Sequence, residues 1–311
     1  MAQVFEAPPL TNYELLDSGG GEKLERFAGV TMRRPDPQAL WTKTRADEEW
    51  ARADLTFVRE SDRGGRWEPG PNVPKSARGR DAQWYLEHGG ARLVIRPTPF
   101  KHVGLFPEQV ANWSLVGEVF DELQGLGEDR PRLLNLFGYT GAASVLAAKA
   151  GFEVTHVDAS KASITWAVDN AEASGLGRDR MRVVCEDALR FARREVRRGS
   201  RYSVILLDPP HYGRGPKGEV WRLEDNLAEL VDTAGLLSAD RALIVLSTYA
   251  VGYSPLAFER ILQDLDGGTV EAGELAIPEG RDTGRYLPAG FCARWARGVA
   301  HDGAQVTDAA P

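Results

Sequence analysis

Past about residue 98, short apolar runs alternate with stretches whose apolar residues recur at three- and four-residue intervals. Residues 132–137, 154–158, 182–185, 203–207 and 243–247 read as buried strands. Residues 109–123, Ala142–Ala150, 161–174, 189–197, 222–236 and 255–265 read as the helices around them. Repeated β-α units predict a doubly wound, mostly parallel sheet. Two more strands, 270–276 and 290–296, follow with no helix between them, and read as a hairpin at one sheet edge.

Before residue 98 the pattern is that of short antiparallel strands. Runs at 13–17 and 23–27 flank Gly19, Gly20 and Gly21, a hairpin signature. Runs at 83–87 and 92–96 flank His88, Gly89 and Gly90. Residues 35–54 carry weak helical spacing, and 61–80, rich in Gly, Pro and Arg, read as a mobile loop. The expected organisation is a flexible arm (1–10), a small antiparallel α+β module (11–97), an α/β domain (98–297) and a disordered tail (298–311).

Composition narrows the function. The chain has 311 residues, 42% hydrophobic and 27% charged, enough for packed cores. The net charge of −7 argues against coating nucleic acid by bulk charge, though not against a local basic groove. Two cysteines exclude a disulfide framework and a Cys-rich zinc site. No apolar run reaches the ~18–20 residues of a membrane helix. The first residues lack a secretory pattern. A cytoplasmic protein without membrane contact is expected.

In an open α/β sheet, ligands bind beyond the carboxyl ends of the strands. The first of these strands ends in N-L-F-G-Y-T-G (135–141), where Gly138 and Gly141 allow a tight turn into a helix. This is not G-x-G-x-x-G, so the dinucleotide fingerprint is unmet. The second ends at Asp158, about twenty residues on, placed to accept from a ribose diol or to cap the next helix; Ser160 offers an alternative cap. The third ends at Asp187, an acceptor for an exocyclic amine or another cap. The fourth ends in L-D-P-P-H-Y (207–212). There the prolines fix carbonyls outward, and His211 or Tyr212 can stack on a planar ring, worth ~1–3 kcal/mol.

Together with K-H-V-G-L-F-P-E-Q (101–109) and H-V-D-A-S-K (156–161), these motifs resemble class I S-adenosylmethionine-dependent methyltransferases over residues 100–297. More narrowly, the chain resembles large-subunit ribosomal RNA methyltransferases with a small β module ahead of the catalytic domain. The resemblance implies a seven-stranded Rossmann-like sheet, S-adenosyl-L-methionine as cofactor and ribosomal RNA as partner. It also implies residue roles. Phe106 and Gln109 would close over the cofactor, while Asn135, Phe137, Tyr139, Thr140 and Gly141 would form its methionine-side wall. Asp158 would hold the ribose and Asp187 the adenine. Asp208, Pro209, Pro210, His211 and Tyr212 would form the acceptor site.

Three departures qualify this. Many relatives carry an N-terminal RNA-binding domain of the PUA type, for which the chain offers no room. RNA affinity would then come from Arg63, Arg66, Lys75, Arg78 and Arg80 with Trp67, or that run is a solvated loop. Methylation at cytosine carbon-5 needs a thiolate, but His211 and Ser247-Thr248-Tyr249 stand at the expected places, and Cys185 and Cys292 read as core thiols. The third departure is the acidic charge. The expected product is therefore a nitrogen-methylated nucleobase in RNA, with His211 as stacking ring or proton acceptor. The alternatives are a protein or small-molecule methyltransferase and a non-catalytic cofactor- or RNA-binding protein. A nicotinamide oxidoreductase is disfavoured by the missing third glycine.

Overall fold

The computed structural model describes residues 3–61, 64–177, 179–249, 252–280 and 283–299. In chain order its elements are β1 (Gln3–Glu6), β2 (Tyr13–Gly19), β3 (Glu22–Phe27), β4 (Val30–Pro35), α1 (Asp47–Trp50), β5 (Leu55–Ser61), β6 (Gly64–Pro69), β7 (Trp84–His88) and β8 (Ala91–Ile95). There follow α2 (Val110–Gly125), β9 (Arg132–Leu136), α3 (Ala142–Ala150), β10 (Glu153–Asp158), α4 (Lys161–Ala173), β11 (Met181–Cys185), α5 (Ala188–Arg197) and β12 (Tyr202–Leu207). The last are β13 (Tyr212–Arg214), β14 (Val220–Arg222), α6 (Leu223–Leu237), β15 (Ser238–Thr248), α7 (Pro255–Gln263), β16 (Thr269–Glu279) and β17 (Arg285–Arg297). They form two compact units. One gathers Ala111–Glu274 with the segments up to Phe5 and from Gly290, and the other comprises Glu6–Val110 and Leu275–Ala289.

The larger unit holds the α/β sheet, in the order β11-β10-β9-β12-β15-β17-β16. Strands β11, β10, β9, β12 and β15 pair in parallel, and β17 returns antiparallel to β15. Every residue of β12 is buried, as its unbroken apolar run requires at the centre of a parallel sheet. Leu136 pairs with both Val157 and Leu207, so the carboxyl ends of β9, β10 and β12 lie level. Helices α5, α6 and α7 close one core over the sheet through Phe191, Leu230 and Phe258. The doubly wound seven-stranded expectation holds, and the expected edge hairpin is β16–β17, with β17 next to β15 and β16 outside it.

The smaller unit orders β2-β3-β4-β5-β6, with the end of β16 beside β2 at Glu279 and Leu15. β7 and β8 form a separate hairpin. The expected β2–β3 hairpin turns through Gly19, Gly20 and Gly21, all at positive φ. A buried ion pair joins Arg34 of β4 to Glu25 of β3, 2.5 Å apart, and burial outweighed by Arg34 and Lys23 leaves Glu25 at about 2.

Several expectations change. Gln3–Glu6, placed in a flexible arm, is a strand against β16, where Gln3 Nε2 donates to Glu271 Oε2 and Phe5 lies under Arg294. The weak helix at 35–54 shrinks to Asp47–Trp50, because buried Asp17 accepts from Thr44, Arg45 and the Trp50 indole and holds the segment as an irregular strap. The 61–80 loop contains β6, whose Trp67 packs edge-on to Phe57 and donates to Thr98 O. Gly65 there is required by packing, since a Cβ would meet Val58 O at 2.1 Å. Arg66 is held between Glu60 and Glu68, which removes it from a free basic patch. The boundary expected at 97–98 falls at Val110–Ala111, and Leu275–Ala289 joins the smaller unit through β16. Residue 63 and residues 300–311 of the expected tail lie outside the described residues.

Candidate active site

The turn after β9 is built on left-handed backbone at Phe137 (φ 60°), Tyr139 (φ 51°) and Gly141 (φ 79°). Non-glycine residues adopt this conformation only where their surroundings enforce it. The enforcement comes from below. Asn135 Nδ2 donates to Ser144 Oγ at 2.9 Å, and Ser144 Oγ lies 3.0 Å from His156 Nδ1. His156 is fully buried, and burial pushes its imidazole down to about 4, so it is neutral at physiological pH. Gly138 sits on that ring: a Cβ there would lie 2.4 Å from two ring atoms. Gly141 meets Ala167 at 2.9 Å in the same way, and the Thr140 carbonyl accepts from Asn170 Nδ2.

Asp158 caps the level end of β10. Its Oδ2 accepts from Tyr139 N at 2.9 Å and its Oδ1 from Ser160 N at 2.8 Å. Burial raises its pKa against those two amides. Ser160 caps α4 by accepting from Ser163 N, as the sequence allowed. Asp187 caps α5 through Arg190 N, so the capping alternative is realised there. Gly141 precedes α3 with no side-chain cap, leaving the first amides of that helix facing the ligand end.

Across β9, Asp208 leaves β12 with its amide donating to Leu136 O. Burial pushes its carboxyl up to about 7, against a hydrogen bond from Ser247. Ser247 belongs to β15 one step past the Leu207–Leu246 pair. Pro209 is buried, Pro210 exposed, and the Pro210 carbonyl accepts from Trp221 Nε1 at 2.6 Å. Trp221 also packs edge-on to Phe137, ring centroids 4.8 Å apart, and so ties the proline turn to the glycine turn. His211 and Tyr212 are exposed. His211 faces Glu224 (3.7 Å) and Tyr253 (6.5 Å between ring centroids). Tyr212 opens a β13–β14 hairpin absent from the sequence reading.

The structure thus brings Asn135, Phe137, Tyr139, Thr140, Gly141, Asp158 and the 208–212 turn to one end of one sheet. Phe106 and Gln109 belong to the smaller unit, where they bound the single helical turn Pro107–Gln109 and the Phe106 ring lies 5.4 Å from His102. Cys185 is exposed at the end of β11, which corrects its reading as a core thiol. Cys292 is buried, its thiol bonded to Asn112 and pushed up to about 11 by burial.

Trp221, Ser144, His156 and Ser247 were missed. His156 had a signal: a polar residue two before Asp158 in an apolar strand shares its face. Trp221 had another, since H-Y-G-R-G-P-K-G-E-V-W-R carries the glycines of a hairpin turn.

A crystal structure of a SAM-dependent methyltransferase from Agrobacterium tumefaciens matches with a TM-score of 0.86 at 40% identity, over 94% of this chain and 93% of that one. Ribosomal RNA large subunit methyltransferase K/L of Shewanella sp. (strain W3-18-1) is 34% identical over 151 residues, 48% of this chain and 19% of that protein. Ribosomal RNA large subunit methyltransferase K of Neisseria meningitidis serogroup B is 30% identical over 164 residues, 52% of this chain and 44% of that protein. The chain spans less than half the length of these curated relatives. No family model matches it. Among the described residues no helix is long and apolar enough to cross a membrane.

Proposed function

The chain belongs to the S-adenosylmethionine-dependent methyltransferases, and we propose that within them it methylates a nitrogen of a nucleobase in ribosomal RNA. S-adenosylmethionine is the cofactor, and when bound it supplies a methyl group already activated by its sulfonium. The glycine turn fits it: a Cβ at Gly138 or Gly141 would run into His156 or Ala167, so these two positions present only backbone to a ligand. Asn135, Phe137, Tyr139, Thr140 and Gly141 would wall the methionine portion. Asp158 would accept from the ribose with the lone pairs its two amides leave over. Asp187 would face the adenine with the oxygen not used in capping.

Asp208 carries the nitrogen reading. A half-buried carboxyl near 7, with a serine donating to it, is poised to accept from an N–H at neutral pH. With the Asp208 and Pro209 carbonyls it would orient an amine or ring nitrogen while its lone pair meets the methyl group. Such positioning can supply up to ~7–11 kcal/mol. The exposed rings of His211 and Tyr212 offer faces to a base drawn out of its stack.

Carbon-5 chemistry on cytosine would need a thiolate beside Asp208. Cys292 keeps its proton, and Cys185 lies three strands from β12, roughly 14 Å at ~4.8 Å per strand. The names of the Shewanella and Neisseria relatives support RNA as the substrate class, and a ribosomal substrate would be met in the cytoplasm.

The test adds protein and methyl-labelled cofactor to a lysate from cells lacking the gene. Nuclease should release the label, and nucleoside mass spectrometry should show a nitrogen-methylated base. A carbon-methylated base, or label released by protease instead, ends the proposal.

A further inference from the structure

We propose that the β13–β14 hairpin and the outer face of α5 form one docking surface for an RNA backbone, an inference that rests on the RNA substrate proposed above. The surrounding protein is acidic, with a net charge of −7. α5 nevertheless carries four arginines against one glutamate, Glu195, which is buried. The hairpin carries Arg214, Lys217 and Arg222 against Glu219. The two elements are joined: Arg190 Nη1 lies 3.1 Å from Glu219 Oε1, and Glu219 also accepts from Lys217 N. The hairpin's one carboxylate is therefore spent on Arg190 and the Lys217 amide, while Glu186, just before α5, pairs with Arg190 and Arg194.

The remaining charges point outward. Arg193 and Arg197 are exposed four residues apart, which sets them on one side of α5, beside the paired Arg190. Arg214 and Lys217 are exposed on the hairpin. Arg193 meets Glu229 of α6, a single carboxylate that leaves other guanidinium donors for a second anion. Tyr212 stands among these cations, half exposed, its hydroxyl accepting from Arg214 Nε.

A row of separated cations along a ten-residue helix, about 15 Å long, fits spaced phosphates. It does not fit a small ligand, which seeks a concave site. An exposed ring between the cations fits an unstacked base, as in single-stranded or looped RNA. The surface begins directly after Pro210, so a strand bound along it leads to the acceptor turn.

The test compares the whole wild-type protein with a triple variant, Arg193→Gln/Arg197→Gln/Lys217→Gln. A fluorescent single-stranded RNA oligonucleotide of mixed sequence is titrated across a salt series, with S-adenosylhomocysteine binding as the folding control. Each lost phosphate contact should lower the slope of log affinity against log salt by ~0.7, about 2 in total, and low-salt affinity should fall about tenfold or more. S-adenosylhomocysteine affinity should not change. Arg193→Lys/Arg197→Lys should retain the wild-type slope. An unchanged slope in the triple variant overturns the surface even where the wild type labels RNA. A lost slope with protease-sensitive label supports the surface and overturns the substrate reading.

Discussion

Gly138→Ala tests whether the His156 ring sets the cofactor turn. The added methyl would lie 2.4 Å from His156 Cε1 and Nδ1 and 3.1 Å from Asn135 Nδ2. Carbon contacts are most favourable at ~3.5–4.0 Å, so about 1 Å of displacement is required. The ring has no easy retreat: His156 is fully buried, its strand pairs on both sides, and its Nδ1 lies 3.0 Å from Ser144 Oγ. The turn must move instead, against Gly138 N→Val157 O (3.0 Å) and Gly141 N→Gly138 O (2.9 Å). Overpacking of this kind costs ~1–3 kcal/mol, and each weakened hydrogen bond ~0.5–1.5 kcal/mol. If half or more of that cost is borne on binding, the Kd for S-adenosylhomocysteine rises about ten- to hundredfold, at ~1.4 kcal/mol per decade. Isothermal titration measures the Kd, and thermal melts without ligand measure the cost to the fold. Gly138→Ala/His156→Ala should lose less affinity than the two single effects summed, because the clash is relieved. A single variant that binds within about twofold of wild type and melts with it would refute the reasoning, as would strict additivity.

Asp208 and His156 should leave opposite marks on pH dependence. Asp208 is raised to about 7 in the fold, so its contribution to stability is present at low pH and is lost as pH rises from its ordinary range near 4 through 7. Chemical melts of Asp208→Asn should lack that loss, and wild-type kcat/KM should rise through about pH 7 as the carboxylate forms; a flat rate profile contradicts its role as acceptor. His156 is lowered to about 4, so stability should fall as pH drops from ~6.5 toward 4, and this loss should vanish in His156→Gln. Trp221→Phe keeps a ring against Phe137 but frees the Pro210 carbonyl. It should lower kcat severalfold with cofactor affinity nearly unchanged, and an equal loss of both would show that the tryptophan serves the glycine turn instead. Asp158→Asn replaces a charged acceptor of two amides, a loss of ~1.5–3 kcal/mol, and should weaken S-adenosylhomocysteine by about tenfold or more in the same titration.

What sequence determined here is what local pattern encodes. A parallel sheet buries both faces of its strands, so β9, β10, β12 and β15 announce themselves as apolar runs, and the residue after each run marks the ligand end. Asp158, Asp208 and the glycine turn were legible for that reason, as was Ser160 as the cap that leaves Asp158 its outer lone pairs. Tertiary structure alone decided what lies behind those residues. His156, Ser144 and Asn135 meet because parallel pairing aligns β9 with β10, and no spacing rule foretells that register. Trp221 reaches the Pro210 carbonyl only once a hairpin folds between them. Arg66 is neutralised by strand neighbours, and on α5 Arg190 and Arg194 are likewise matched by Glu219 and Glu186, while Arg193 and Arg197 stay exposed. Charge and polarity along a chain say which groups exist, but partners are assigned by packing, and packing settles whether a carboxylate caps a helix, pairs with an arginine or waits for a ligand.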